Sequence, residues 1–260
     1  MTAALESVEA KKWVASMNNE FNGLVELGVF DLGFTKAQLL AEGINIDKRP
    51  AVPCGQYFEN KFDQDGKINK HKARIAIQGH PGNMQKGGHY NETFAATPRE
   101  STARIMCALV VQLNLVRRAF DITKAFCWAD RLEGDLIALK YPDGFKKFDK
   151  TTGEELYIIL RKNLYGDPAA GRTFSKARNK VIMEKFNEIG WTCSRTRMDP
   201  CLFCVTLIVE KKTFRAWMLV HVDDCDIIAE EGEMADAMIA IFSKIFTITA
   251  VNPEFMLGIR

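Results

Sequence analysis

Between residues 6 and 27 the apolar positions Val8, Trp13, Met17, Phe21, Leu24 and Val25 fall on one helical face, and Gly28 follows where a left-handed C-terminal cap belongs. This spacing predicts an amphipathic helix. From Ala51 to Gly79 the pattern shifts to two β-like runs, PCGQYFENKF and HKARIAIQ, joined by Asp65-Gly66, a dipeptide suited to a tight hairpin turn. Side chains two apart in a strand share a face, so Lys72 and Arg74 point the same way. Residues 80–98, rich in Gly, Pro and Asn, read as an ordered loop. A helix over 101–113 leads into the apolar run LVRRAFDI, which predicts a strand ending near Asp121. Further strands are expected at 135–141 and 155–160, and a helix over 169–189 is closed by Gly190. A strand pair at 201–209 and 213–222 crosses Glu210-Lys211-Lys212. Then WMLVHV and CDIIA flank Asp223-Asp224, which fits a hairpin with two acids at its tip. A last helix over 232–245 precedes a short strand pair ending in FMLGIR. Helices and strands alternate irregularly without an internal repeat, so the expected class is α+β with a mostly antiparallel sheet backed by helices.

Composition narrows the function classes only a little. With 260 residues and 47% hydrophobic side chains, the chain buries a real core in one large domain or two closely packed ones. Lys and Arg number 35 against 33 acids, so a net charge of +2 does not by itself announce a nucleic-acid partner. Such a partner has to come from local charge. Seven scattered cysteines, an odd count, point to reduced thiols in an intracellular protein. The start MTAALESVEAKKW lacks a basic-then-apolar leader, and no window approaches about 18 uninterrupted apolar residues, so no membrane span is expected.

Two adjacent aspartates in a turn are ordinarily turn formers. Here both flanking strands are apolar enough to be central, and a buried hairpin does not carry two like charges without a compensating cation. A third acid, Asp121, closes another apolar strand. Three carboxylates at strand ends offer an oxygen-rich site for Mg²⁺, which takes a few carboxylates plus phosphate oxygens. Two such ions about 3.5–4 Å apart suit nucleotidyl transfer to a primer 3′-hydroxyl. The reading requires Asp121 and the doublet to converge, which spacing alone does not establish. Asp226 reads as a solvent-facing strand residue rather than a fourth ligand. The Cys201/Cys204 spacing lacks a second cysteine pair or a nearby His pair for zinc, and Gly87-Gly88 has no GK[ST] after it for a phosphate loop.

At these acids the chain resembles the reverse transcriptases of copia-type retrotransposons. The segments DGKINKHKARIAIQG, HYNETFAATPR, FDITKAF, LYG with Arg172 after it, DPCLF and HVDD, together with the Trp13 helix, occur in family order nearly end to end. The resemblance implies a right-hand polymerase fold. Residues 1–120 would hold the N-terminal helix and fingers leading into the palm, and 121–260 the palm with a helical fingers insertion near 164–190. Asp121, Asp223 and Asp224 become the catalytic metal-binding acids, Ile122 lends a backbone carbonyl to a metal, and the cofactor is two Mg²⁺ ions with Mn²⁺ as substitute. Lys72 and Arg74 match the KAR of the fingers strand and face the triphosphate, with the one that meets the γ-phosphate left open. Phe126 falls where an aromatic ring screens out a 2′-hydroxyl; from the sequence alone it reads as a core residue. Arg172 and Val222 are assigned to template and primer, with a plain helix-surface role open for Arg172.

Departures from the family pattern fall at two points. LYGDPAAGRTF stands where LYGLKQAPRAW is usual, so Ala169 occupies the nucleotide-side position of a Gln, and His221 replaces the Tyr of YVDD. His221 brings either a pH dependence or a packing role. The implied function is RNA- or DNA-templated DNA synthesis from a primer and deoxynucleoside triphosphates. The alternative is an inactive retrotransposon remnant that only binds nucleic acid; a nuclease or cyclase using the same acids is a third reading. The family further implies a cytoplasmic particle or the nucleus as location, and integrase and RNase H as polyprotein neighbours. Thumb and RNase H have no counterpart in the sequence, which reads as a fragment.

Overall fold

The computed structural model describes residues 2–63, 65–131 and 136–252. It divides into two compact units, Met1–Thr93 with Phe126–Thr173, and Phe94–Ala125 with Phe174–Arg260. In the first unit a short α1 (Thr2–Leu5) precedes α2 (Ala10–Glu26), whose buried face is Trp13, Met17, Phe21 and Leu24. Val8 lies in the turn between the two helices and is fully exposed, contrary to the periodicity, because the helical face begins only after it. The helix stops as expected at Gly28, with φ +68°.

Strand β1 (Phe30–Phe34) and helix α3 (Lys36–Ala41) escaped the pattern. Neither is long enough to display a period, although Thr35 and Gln38 form a capping box at the start of α3. Strand β1 pairs with β6 (Tyr157–Leu160), which pairs with β5 (Ile137–Lys140), giving an antiparallel order β1-β6-β5. Strands β2 (Cys54–Phe62) and β3 (Ile68–Ile77) form the expected hairpin. Its connection is wider than a two-residue turn: the Asp63 carboxylate accepts from the Asp65 and Lys67 amides at 3.0 and 2.9 Å, with Gly66 at φ +76°. Trp13 meets Phe58 edge-on at 5.3 Å, and Ser16 Oγ accepts from the Ala73 amide at 2.8 Å, seating α2 on the hairpin.

The glycines of the IQG and LYG segments have one physical cause. The Ile77 amide donates to the Tyr165 carbonyl at 2.8 Å, and a Cβ on Gly166 would fall 2.0 Å from the Ile77 oxygen. A Cβ on Gly79 would likewise sit 2.0 Å from the Gly166 oxygen, so backbone touches backbone and only glycine fits.

The second unit is a six-stranded antiparallel sheet, ordered β11-β4-β10-β9-β8-β7. Its strands are β4 (Val116–Ile122), β7 (Thr192–Arg195), β8 (Leu202–Val209), β9 (Lys212–His221), β10 (Asp224–Ala229) and β11 (Ile248–Val251). Helix α4 (Glu100–Leu113) ends at Asn114 in a left-handed cap, and α5 (Ala170–Glu188) and α6 (Gly232–Ser243) complete the helices. Phe120 of β4 contacts Phe242 of α6 at 5.0 Å, and Phe242 contacts Phe186 of α5 at 6.3 Å, so one aromatic cluster joins sheet and helices. Glu210 and Lys211 both have positive φ, 48° and 68°, as a two-residue type I′ turn demands, so the β8–β9 connection is tighter than the three residues expected. Strand β7 was not foreseen. The last strand pairs with β4, and FMLGIR lies outside the described residues. The pairings between named strands are antiparallel, in keeping with an α+β class. Among the described residues no helix is long and apolar enough to cross a membrane.

Candidate active site

All three acids singled out in the sequence belong to the second unit, and the sheet brings them together. Strand β10 lies between β4 and β9, and Asp224 is the register partner of Asp121 on one side and of His221 on the other. The Ile122 amide donates to the Asp223 carbonyl at 2.9 Å. In an antiparallel ladder this makes Ile122/Asp223 a hydrogen-bonded pair and Asp121/Asp224 a non-bonded one. Side chains of such a pair share a face, with Cβ atoms about 4.5–5.5 Å apart. Across β9, β10, β4 and β11 the row on this face reads His221, Asp224, Asp121, Thr249.

The turn that carries Asp223 is strained. Val222 has φ +54°, whereas Asp223 is not among the positive-φ residues, the pattern of a type II′ turn whose first central position favours glycine. A β-branched residue there costs about 1–3 kcal/mol and persists only where its surroundings hold it. Arg178 of α5, which sequence reasoning passed over, donates to the Val222 carbonyl at 2.5 Å.

Partial burial pushes the Asp224 carboxyl above its ordinary value, the Asp223 charge adds to the rise, and His221 opposes it. A raised native pKa means that the fold prefers this group protonated. The ionised carboxylate therefore costs stability at neutral pH, and the cost disappears as pH falls below the ordinary Asp value of about 3.9. Asp224→Asn is accordingly expected to melt higher than the parent at pH 7 in metal-free buffer, with the gap closing in acid. Melting curves at the two pH values check this; an equal gap in acid would refute it.

Asp226 corrects the sequence reading. It is 2% exposed, not solvent-facing, and Arg117 grips it with Nε at 2.9 Å and Nη2 at 2.9 Å. Both oxygens of that carboxylate accept from the guanidinium, so it is a structural ion pair. Asp121, Asp223 and Asp224 fit a divalent cation by chemistry: oxygen donors, neighbours in register, with like charge already raising one of them. As they stand, no three His, Cys, Asp or Glu side chains among the described residues are grouped to hold a metal. What the backbone supplies is the register of Asp121 against Asp224, with Asp223 next to it in the turn.

The remaining candidates lie in the first unit, apart from Ile122 and Val222. Ile122 is fully buried beside Asp121. Lys72 and Arg74 share a face of β3, opposite Glu59 and Tyr57 of β2. Glu59 was not foreseen: it accepts from Arg74 at 3.0 Å and pairs with Lys61 at 2.5 Å. Burial lowers the Lys72 pKa, and the neighbouring Arg74 and Lys61 charges lower it further. Phe126 sits in a 3₁₀ turn (Ala125–Trp128), edge-on to Tyr165 at 5.5 Å. Ala169 precedes α5, its amide bonded to the Asp167 carboxylate at 2.9 Å and its carbonyl to Thr173 Oγ1 at 3.0 Å. Arg172 lies in the first turn of α5 and is half-buried. Cys201 Sγ donates to the Ala96 carbonyl at 3.3 Å, an ordinary packing role.

The sequence model of the family described as reverse transcriptase (RNA-dependent DNA polymerase) matches residues 45–259, a span that includes all three acids. The chain belongs to the reverse transcriptase family. Among its relatives, the retrovirus-related Pol polyprotein from transposon RE1 of Arabidopsis thaliana is 27% identical over 85% of this chain and 13% of that protein. The Pol polyprotein from transposon RE2 of the same plant is 25% identical over 99% of the chain and 16% of its own length. That from transposon TNT 1-94 of Nicotiana tabacum is 25% identical over 98% and 17% respectively. These matches bear out the copia-type resemblance, and this reverse-transcriptase chain spans less than a fifth of the length of the relatives it matches. Reverse transcriptases generally use divalent metal ions, a template with a primer, and deoxynucleoside triphosphates.

Proposed function

We propose that this chain carries the polymerase site of a copia-type reverse transcriptase and extends a DNA primer along an RNA or DNA template. The observation that carries the reading is the register of Asp121 against Asp224, with Asp223 at the adjoining turn. Asp121, Asp223 and Asp224 would hold the metal ions, with the carbonyl of Ile122 as a further oxygen. When bound, a pair of Mg²⁺ ions activates the primer 3′-hydroxyl and neutralises the departing pyrophosphate. Lys72 and Arg74 would bind the triphosphate, Arg74 exchanging its contact with Glu59 for phosphate oxygens. Phe126 would exclude a 2′-hydroxyl by bulk, Ala169 would border the sugar without the amide a Gln supplies, and Arg172 and Val222 would contact template and primer. Residues 1–120 would serve as the fingers leading into the palm, and 121–260 as the palm with a helical fingers insertion near 164–190.

Incubation of the chain with an annealed primer–template, Mg²⁺ or Mn²⁺ and the four deoxynucleotides tests this. Lengthened primers whose sequence complements the template are expected. Shortening without lengthening would transfer the acids to a nuclease, and intact primers would leave a nucleic-acid-binding remnant.

A further inference from the structure

Helix α5 turns Phe174, Arg178, Ile182 and Phe186 inward, a stripe at i, i+4 spacing in which each residue is 2% exposed or less. A guanidinium occupies a position where the helix otherwise places rings and aliphatic carbons. Burying that charge is costly unless its donors and its charge are met. Each of its nitrogens has a partner: Nη1 the Val222 carbonyl at 2.5 Å, Nε and Nη2 the Asn179 Oδ1 at 3.2 and 2.9 Å, and Nη2 also Ser175 Oγ at 3.4 Å. The Phe174 ring lies under the cation at 5.6 Å. Asp223 is the carboxylate among the charges that act on it, and burial pulls its pKa down.

Of these contacts, the bond to Val222 reaches the element that carries the acids. Turn types that share a first central φ sign differ by a flip of the peptide between the two central residues. In the Val222-Asp223 turn, that flip would swing the Val222 carbonyl away from the helix and re-aim Asp223. We propose that Arg178 is a positioning residue of the reverse-transcriptase site: its buried guanidinium pins the central peptide of the strained Val222-Asp223 turn, so that Asp223 is held in place beside Asp121 and Asp224. The proposal rests on the reading of these three acids as the metal site. The Asp223 charge acts on this buried cation as well as on Asp224.

Two measurements on the 260-residue chain, with Arg178→Met and Arg178→Lys, test this. Methionine suits the apolar stripe and cannot donate to the carbonyl; lysine keeps one charged donor. Crystal structures of the variants report the turn, where the Met variant is expected to show the central peptide flipped or in two orientations. Titration of Mn²⁺, followed by its electron paramagnetic resonance signal, is expected to show about 10–100-fold weaker binding for Met, the scale seen when a group supporting a metal ligand is lost, with Lys between. A Met variant with an unmoved turn and parental Mn²⁺ affinity overturns the proposal, whatever its melting temperature. Should the Met variant not fold, an unmoved turn in the Lys variant with parental affinity does so. A parent that binds no Mn²⁺ sinks the metal reading itself, and the turn conformation in the variants then decides the role of Arg178 alone.

Discussion

Asp121→Asn is expected to lower the rate of primer extension by about 10³-fold or more, with the variant chain melting no earlier than the parent. The carboxylate it removes stands directly across the ladder from Asp224, on the same face. Asparagine keeps the shape and the strand register but loses one of the negative charges that would hold the cations. Metal ions contribute several kcal/mol to stabilising charge in such a displacement, and each 1.36 kcal/mol or so is a factor of ten. Stability is not expected to fall, because the substitution keeps the strand register and removes a carboxylate that stands across the ladder from another. Single-turnover extension at saturating Mg²⁺, beside a urea melt of the same preparation, measures both. Activity within about tenfold of the parent would remove Asp121 from the catalytic set.

The largest stability loss is expected in the first unit, at Asp167→Ala, about 3–5 kcal/mol. Asp167 pairs with Arg131, and the two side chains are 0% and 3% exposed. Arg131 also donates to the His89 carbonyl at 3.1 Å, and Asp167 accepts from the Ala169 amide at 2.9 Å, so one ion pair ties the 80–98 loop to the start of α5. Removing the acid strands a buried guanidinium without its counter-charge, which costs more than the pair contributes when whole. Urea unfolding of Asp167→Ala, Asp167→Asn and the double variant Arg131→Met/Asp167→Leu separates the terms. The Asn variant is expected to lose less and the double variant to recover most of the deficit. An alanine variant within about 1 kcal/mol of the parent would show that the pair is solvated and dispensable.

Asp167 also shows how a departure from a family pattern is read differently by sequence and structure. In the string LYGDPAAGR it registers as a mismatch beside Ala169, where a Gln contact to nucleotide is missing. In the fold its side chain is the fully buried partner of Arg131 and accepts from the Ala169 amide just before α5. Arg178 and Glu59 were passed over for a related reason. Nothing in the local string distinguishes a buried arginine on a helix from a solvated one, or a glutamate that holds a cation from one that decorates an edge. Asp226 was misplaced because alternation along β10 cannot reveal that Arg117, on the neighbouring strand, claims its carboxylate.

The residues by themselves determined the face of α2 after Val8, the β2–β3 ladder that carries Lys72 and Arg74, the hairpin bearing Asp223 and Asp224, and the order of motifs that marks a reverse transcriptase. Those features follow from spacing of 2 or 3.6 residues and from side-chain chemistry, which act over a few neighbours along the chain. Only the tertiary structure decided how distant strands meet: that β4 lies along the edge of β10 away from β9, that Asp121 therefore faces Asp224, and that a helix from elsewhere sends Arg178 to the Val222 carbonyl. Register between distant strands is set by the whole buried face of the sheet, where a slip of one residue would turn every side chain over.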